Sequence, residues 1–304
     1  MSAAWGDSGT PALVVAAALW GALAGAVLPR AAYRFAVPPG RPWHDHCPGG
    51  HPLRGWLGTR GCGRCAGEKG RAGEKGRAQA RPSVPHAPDA SEVPHAPDAS
   101  EVPHAPEVPD TPEVSDAPST PGLPYAPSVL LLAGATALTC AALAAATGTR
   151  PELAVWLLLA PAGVLLAAVD LRVRRLPDPL TLPLAAAALA LLGLTALLPE
   201  HTGHWLTALY GALALGGGYF VLHLLNPSGM GFGDVKLALG LGAVLGWYGW
   251  PTVLLGTFAG FLFGALYGGA LLLARRAGRK TAIPFGPFLL AGAFAGLLVG
   301  AFTA

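Results

Sequence analysis

Residues 152–198 read ELAVWLLLAPAGVLLAAVDLRVRRLPDPLTLPLAAAALALLGLTALL, two apolar runs, uncharged after Glu152, joined by a short turn that carries Asp170, Arg172, Arg174, Arg175 and Asp178. A helix needs about 20 apolar residues to cross the hydrocarbon of a bilayer, and each run has that length. In water such neighbours could not hide their surfaces, because the linker is too short and too little polar surface exists to cover them. The stretch therefore reads as a helical hairpin in lipid.

The same pattern extends to both ends of the chain. Of 304 residues, 52% are hydrophobic and only 12% charged, and the mean hydropathy is +0.47, values outside the range of an ordinary soluble domain. Eight spans are expected, near 11–28, 128–147, 152–169, 179–198, 205–225, 235–250, 251–274 and 284–303, the sixth being short and rich in glycine. The expected fold class is an all-α polytopic membrane protein with its N-terminus outside and a cytoplasmic, largely disordered insertion. A net charge of +3, without a basic stripe interleaved with aromatics, gives no support to a nucleic-acid partner.

Lys and Arg are retained on the cytoplasmic side of span ends. With an outside N-terminus, 19 of the 20 Lys and Arg residues fall on that side, Arg150 alone falling outside. The first span has no basic residues before it and Arg30 and Arg34 after it, the polarity of an anchor rather than of a cleaved signal.

Four segments follow: an anchor at 1–28, a Cys-containing stretch at 29–66, a low-complexity linker at 67–127 and a seven-helix membrane domain at 128–304. In the linker GEKGRA occurs twice and VPHAPDASE twice, followed by VPHAPEVPD. Frequent proline and few large apolar side chains deny it both helix and core, so His86, His95 and His104 read as solvated repeat residues.

A carboxylate in hydrocarbon is costly, so acids in the membrane domain are functional candidates. Glu152 and Glu200 fall in outside loops and are expected to be solvated. Asp170, Asp178 and Asp234 lie at cytoplasmic span ends, within plausible reach of each other. Asp178, followed by Pro179, stands where a helix cap would. Asp234 lies in NPSGMGFGDVK, where Gly229, Gly231 and Gly233 permit unusual backbone conformations and close approach of a neighbour, and Lys236 would favour its ionised form. Two adjacent carboxyl groups cannot easily both ionise, so one acts as base toward a water and the other as acid toward a carbonyl. That is aspartic-protease chemistry.

These residues resemble a known family. GFGD at 231–234 and DLRVRRLPD at 170–178, with GALAGAVLPRAAYR at 21–34 and IPFGPFLLAGA at 283–293, are similar to the motifs of the type IV prepilin peptidases, GxGD intramembrane aspartic proteases. The resemblance implies that Asp170 and Asp234 are the catalytic pair and that Asp178 is structural. It also implies that the substrate is a type IV prepilin or pseudopilin, cut after its short basic leader at the cytoplasmic face of the inner membrane. Arg172, Arg174 and Arg175 would then attract an acidic substrate residue or lipid headgroups, positive-inside anchoring being the plainer reading.

Bifunctional members of that family hold zinc with two CxxC pairs and methylate the new N-terminus with S-adenosylmethionine. Here Cys62 and Cys65 form one pair, and the other has become Cys47-Pro48-Gly49-Gly50-His51. Cys47, His51, Cys62 and Cys65 are the candidate zinc ligands, with His44 or His46 as substitutes. The basic and aromatic motif that follows the second pair is replaced by the GEKGRA repeats, which leaves S-adenosylmethionine and methyl transfer without their motif. Peptide hydrolysis itself needs no cofactor. Cys140 reads as a packing residue. Two other readings suit an acid-bearing multi-span chain: a transporter or channel, of whose paired broken helices only one is seen, and a peptidase-like scaffold that does not cleave. Gly21 and Gly25 permit close helix packing within the chain or between copies.

Overall fold

The computed structural model describes residues 9–38, 40–47, 50–59, 128–227, 229–274 and 284–304. The repeats, Cys62, Cys65 and the basic stretch 275–280 lie outside the described residues. Contacts divide the chain into one unit of 1–62 with 125–304 and another of 63–124, and all described residues belong to the first. They form nine helices: α1 Gly9–Ala26, α2 Leu28–Phe35, α3 Val129–Thr147, α4 Glu152–Val173, α5 Asp178–Thr195, α6 Trp205–Leu225, α7 Phe232–Gly246, α8 Trp250–Leu273 and α9 Gly286–Thr303.

A helix occurs at each of the eight places where the sequence puts a span. Six of them are long and apolar enough to cross a bilayer, or seven if α1 and α2, bent by 44° at their junction, are one span. Leucines such as Leu130, Leu197 and Leu273 are at least 80% exposed, which fits a lipid-facing surface and no aqueous one. The fifteen-residue α7 is short of a span, since about 1.5 Å per residue does not reach the roughly 30 Å of hydrocarbon. It touches α5, α6, α8 and α9, and most of its residues are buried.

Small residues decide how closely the helices pack, as expected where lipid removes the hydrophobic drive between them. Gly21 and Gly25 of α1 lie against the backbone of α3, where an added Cβ would come within 2.6 and 2.5 Å of the Thr136 and Leu132 carbonyl oxygens. That pair thus packs within the chain. Gly211 on Gly242 joins α6 to α7, and Gly260 on Gly292 joins α8 to α9. Pro161 inside α4 offers no N–H to the carbonyl four residues back, and α1 supplies the missing donor, Trp20 Nε1 giving a 3.0 Å hydrogen bond to Leu157 O. Cys140 is fully buried in α3, as a packing residue should be.

Pro29 starts α2, whose Leu28, Ala31, Ala32 and Phe35 face inward. Its two arginines gather the segment that follows: Arg30 donates to the carbonyls of Arg54 and Leu57, and Arg34 to those of Leu53 and Gly55. Trp56 lies between the Arg34 guanidinium, 4.3 Å from its ring, and Phe35, 4.8 Å away. Gly58, at φ +149°, passes where a Cβ would strike the Arg30 guanidinium, and its N–H and C=O close the α1–α2 break by bonding Val27 O and Arg30 N.

Helices α4, α5, α7 and α9 form a ring in which each touches the next, whereas the backbones of α4 and α7, and those of α5 and α9, do not approach each other across it. The centre is a hollow of about 300 Å³ lined by side chains such as Leu159, Val164, Leu184, Leu241 and Phe294.

Candidate active site

At one end of the ring α4 stops and α5, α7 and α9 begin. The stop is a left-handed C-cap at Arg174, φ 51°, whose N–H bonds back to Asp170 O at 2.8 Å. Asp170, in the last turn of α4, is 4% exposed, and its Oδ2 accepts a 3.1 Å hydrogen bond from the Gly286 backbone N–H in the first turn of α9. Glycine lets the amide come this close, because a Cβ would lie 2.8 Å from that oxygen and push it aside.

Asp234 lies in the first turn of α7, 8% exposed, its N–H bonded to Gly231 O at 3.0 Å. The loop before it is held at two points. Asn226 Oδ1 accepts from Gly229 N at 3.1 Å, and His223 Nδ1 donates to Met230 O at 2.8 Å. His223 is the supporting residue that sequence reasoning missed. Its signal was faint, a lone imidazole in the last turn of an apolar helix.

Leu176, buried in the α4–α5 turn, lies between the starts of α7 and α9: a Cβ on Gly233 would be 2.9 Å from the Leu176 Cβ, and one on Gly286 would be 3.5 Å from its Cδ1. Asp170 and Asp234 thus line one cavity of about 460 Å³, together with Arg174, Arg175, Asp178 and Lys236. Asp234 lies in the field of the Asp170 carboxyl group. The sequence expectation that three distant acids converge holds for the placement, with Asp178 at the rim.

Four expectations need correction. Asp178 is not a cap, since Pro177 takes that position and no side chain accepts the helix N–H groups; its carboxylate pairs instead with Lys236 Nζ at 2.7 Å. Lys236, which also lies 4.8 Å over the Phe232 ring, is therefore committed to Asp178 rather than to Asp234. None of Gly229, Gly231 and Gly233 has a positive φ, so close approach, above all at Gly233, is the reason for glycine and conformational freedom is not. Glu152, expected in solvent, is fully buried at the far end of the bundle: its Oε1 accepts from Thr202 Oγ1 at 2.7 Å, with Arg150 4.0 Å away. The short loops there fold inward over it. Glu200 is exposed as expected.

The arginines differ in employment. Arg175 donates to Pro38 O at 3.3 Å and stacks 5.1 Å from Trp43, so the segment after α2 reaches the wall of the cavity. Arg174 is exposed at the cavity's edge.

Of the candidate zinc ligands, Cys47 and His51 are described. Cys47 is buried and its Sγ lies 3.7 Å from His51 Nδ1, close to the separation expected for two corners of a tetrahedral zinc with bonds of about 2.3 and 2.1 Å. Those two side chains fit half of such a site, and Cys62 and Cys65 lie outside the described residues. The substitutes are engaged elsewhere: His44 stacks on Tyr33 at 4.7 Å, and His46 Nδ1 is 2.7 Å from Asp45 Oδ1. Among the described residues no three His, Cys, Asp or Glu side chains converge as metal ligands do.

Residues 154–269 match the model of the type IV leader peptidase family. The chain is 40% identical over 174 residues to a prepilin leader peptidase/N-methyltransferase of Aeromonas hydrophila, covering 56% of this chain and 55% of that protein. It is 39% identical over 146 residues to one of Aeromonas salmonicida, covering 48% and 47%, and 36% identical over 135 residues to one of Pseudomonas aeruginosa, covering 43% and 44%. The chain thus spans about half the length of the curated relatives it matches. No solved structure matches it. The matched stretch contains both Asp170 and Asp234, so the two acids lie in the part of the chain that is similar to the type IV leader peptidase family.

Proposed function

We propose that this multi-pass membrane protein is an aspartic endopeptidase of the inner membrane that removes the leader of type IV prepilins or pseudopilins at the cytoplasmic face. The observation that carries the reading is the meeting of two buried carboxyl groups, from α4 and α7, in one polar cavity at one end of the bundle. The names of the relatives supply the substrate class. The clustering of Arg172, Arg174, Arg175 and Lys236 at that end supports a cytoplasmic orientation.

In the reaction a water between the carboxyl groups gives a proton to the ionised one as its oxygen attacks the scissile carbonyl carbon. The protonated partner donates to the carbonyl oxygen, forming a gem-diol. Proton transfer to the amide nitrogen then lets the C–N bond break, releasing an acid and an amine and returning the pair to its singly protonated state. The Gly286 N–H fixes one Asp170 oxygen throughout. Cys47 and His51, with Cys62 and Cys65, would hold a structural zinc that braces the segment after α2. Hydrolysis uses no other group, and S-adenosylmethionine has no motif here.

A transporter or channel needs a polar route through the bundle, and the ring's hollow is lined almost wholly by apolar side chains, which favours the peptidase. Membranes containing the wild-type chain, incubated with a model prepilin, should shorten it by the length of its leader on a gel. Asp234→Ala should leave it intact. Absence of cleavage by wild type would promote the non-cleaving scaffold or the transporter.

A further inference from the structure

Tyr219, on α6, is 2% exposed, and its hydroxyl is buried without a hydrogen-bond partner. An unpaired buried hydroxyl costs about 1–3 kcal/mol, and such groups in native proteins call for an explanation. The ring alone does not provide one. It stacks on Phe261 at 5.8 Å and belongs to a buried cluster with Leu176 and Val235, against which Met230 and Phe285 pack, surroundings that suit phenylalanine equally well.

The same buried cluster holds Val235, the chain neighbour of Asp234, and Leu176, against which Gly233 packs, so the hydroxyl belongs to the wall behind the Asp234 carboxyl group, whose field reaches it. Asp170 has a donor in Gly286, whereas Asp234 has only the Gly231 backbone on its loop side. Tyr219 and His223 are four residues apart and therefore share a face of α6. His223 already fixes the loop that leads to Asp234 through Met230 O.

We propose that Tyr219 is a positioning residue: its hydroxyl is the donor that orients the Asp234 carboxyl group through one water held between them. The inference rests on the peptidase reading for its kinetic consequence and not for its structural one.

The variant that isolates the hydroxyl is Tyr219→Phe. With a model prepilin, kcat should fall about tenfold or more, as for a lost hydrogen bond to an ionised group, while KM stays unchanged because the substrate contacts remain. Wild-type kcat in Tyr219→Phe would overturn the proposal. Thermal melting supplies a readout that needs no activity. Tyr219→Phe should lower the Tm of the otherwise wild-type chain and leave that of the Asp234→Ala variant unchanged or higher. An equal or higher Tm in both backgrounds would mark the hydroxyl as an orphan and refute the assignment. If wild type fails to cleave, the peptidase reading fails, and the melting cycle still decides the role of Tyr219.

Discussion

Gly286 shows how one missing methyl group shapes the site. Its amide reaches Asp170 only because no Cβ stands 2.8 Å from the carboxylate oxygen, so Gly286→Ala should cut the cleavage rate at least tenfold with little change in Tm. The glycines around Asp234 should part company. At Gly231 a Cβ would meet Asp234 Oδ2 at 3.5 Å, an ordinary contact, and φ is −69°; Gly231→Ala should retain activity within about threefold. At Gly233 the Cβ would press on Leu176 at 2.9 Å, and Gly233→Ala should destabilise by about 1–3 kcal/mol, measurable by melting in detergent. The motif alone made these glycines look alike. Which neighbour each one faces is a property of the folded chain.

Helix by helix, the apolar runs made the architecture legible, since length and hydropathy are local properties. What escaped was how the helices are repaired and joined. Pro161 announces a missing donor, yet nothing in the sequence says that Trp20 supplies it. The turn from Asp170 to Asp178 reads as a basic anchor, while in the fold Arg175 bonds Pro38 O and stacks on Trp43, with Trp43 edge-on to Phe35 at 5.1 Å. This link ties the segment after α2 to the cavity wall beside Leu176. Trp43→Ala should therefore lower kcat several-fold although Trp43 does not line the cavity, and Trp43→Phe should restore most of it. The Lys236–Asp178 pair joins α7 to α5 but leaves the Asp178 side chain 61% exposed. Asp178→Asn should consequently cost less than about 1 kcal/mol.

On the scale of the whole molecule, the two acids meet because α4 and α7, on opposite sides of a four-helix ring, present them at the same end. Ordering of charges along the chain put them on one membrane face, and family-like motifs singled them out. Their shared cavity and the burial of α7 required the fold, as did the capture of Glu152 at the far end, because each depends on contacts between residues distant in sequence. The ring's hollow holds one orphan hydroxyl, Thr181 Oγ1, and Thr181→Val, which keeps the shape and removes the unpaired group, should raise stability by about 1 kcal/mol. Hydrolysis here depends on Asp170 and Asp234 acting on a single water. Its most direct test is the single-turnover cleavage rate of Asp170→Asn, Asp234→Asn and the double variant on one prepilin. Each single change should reduce the rate by about a thousandfold or more, with the double no slower than either, because a pair that works as a unit is lost with its first member. Substantial cleavage by either single variant, or losses that multiply in the double, would contradict it.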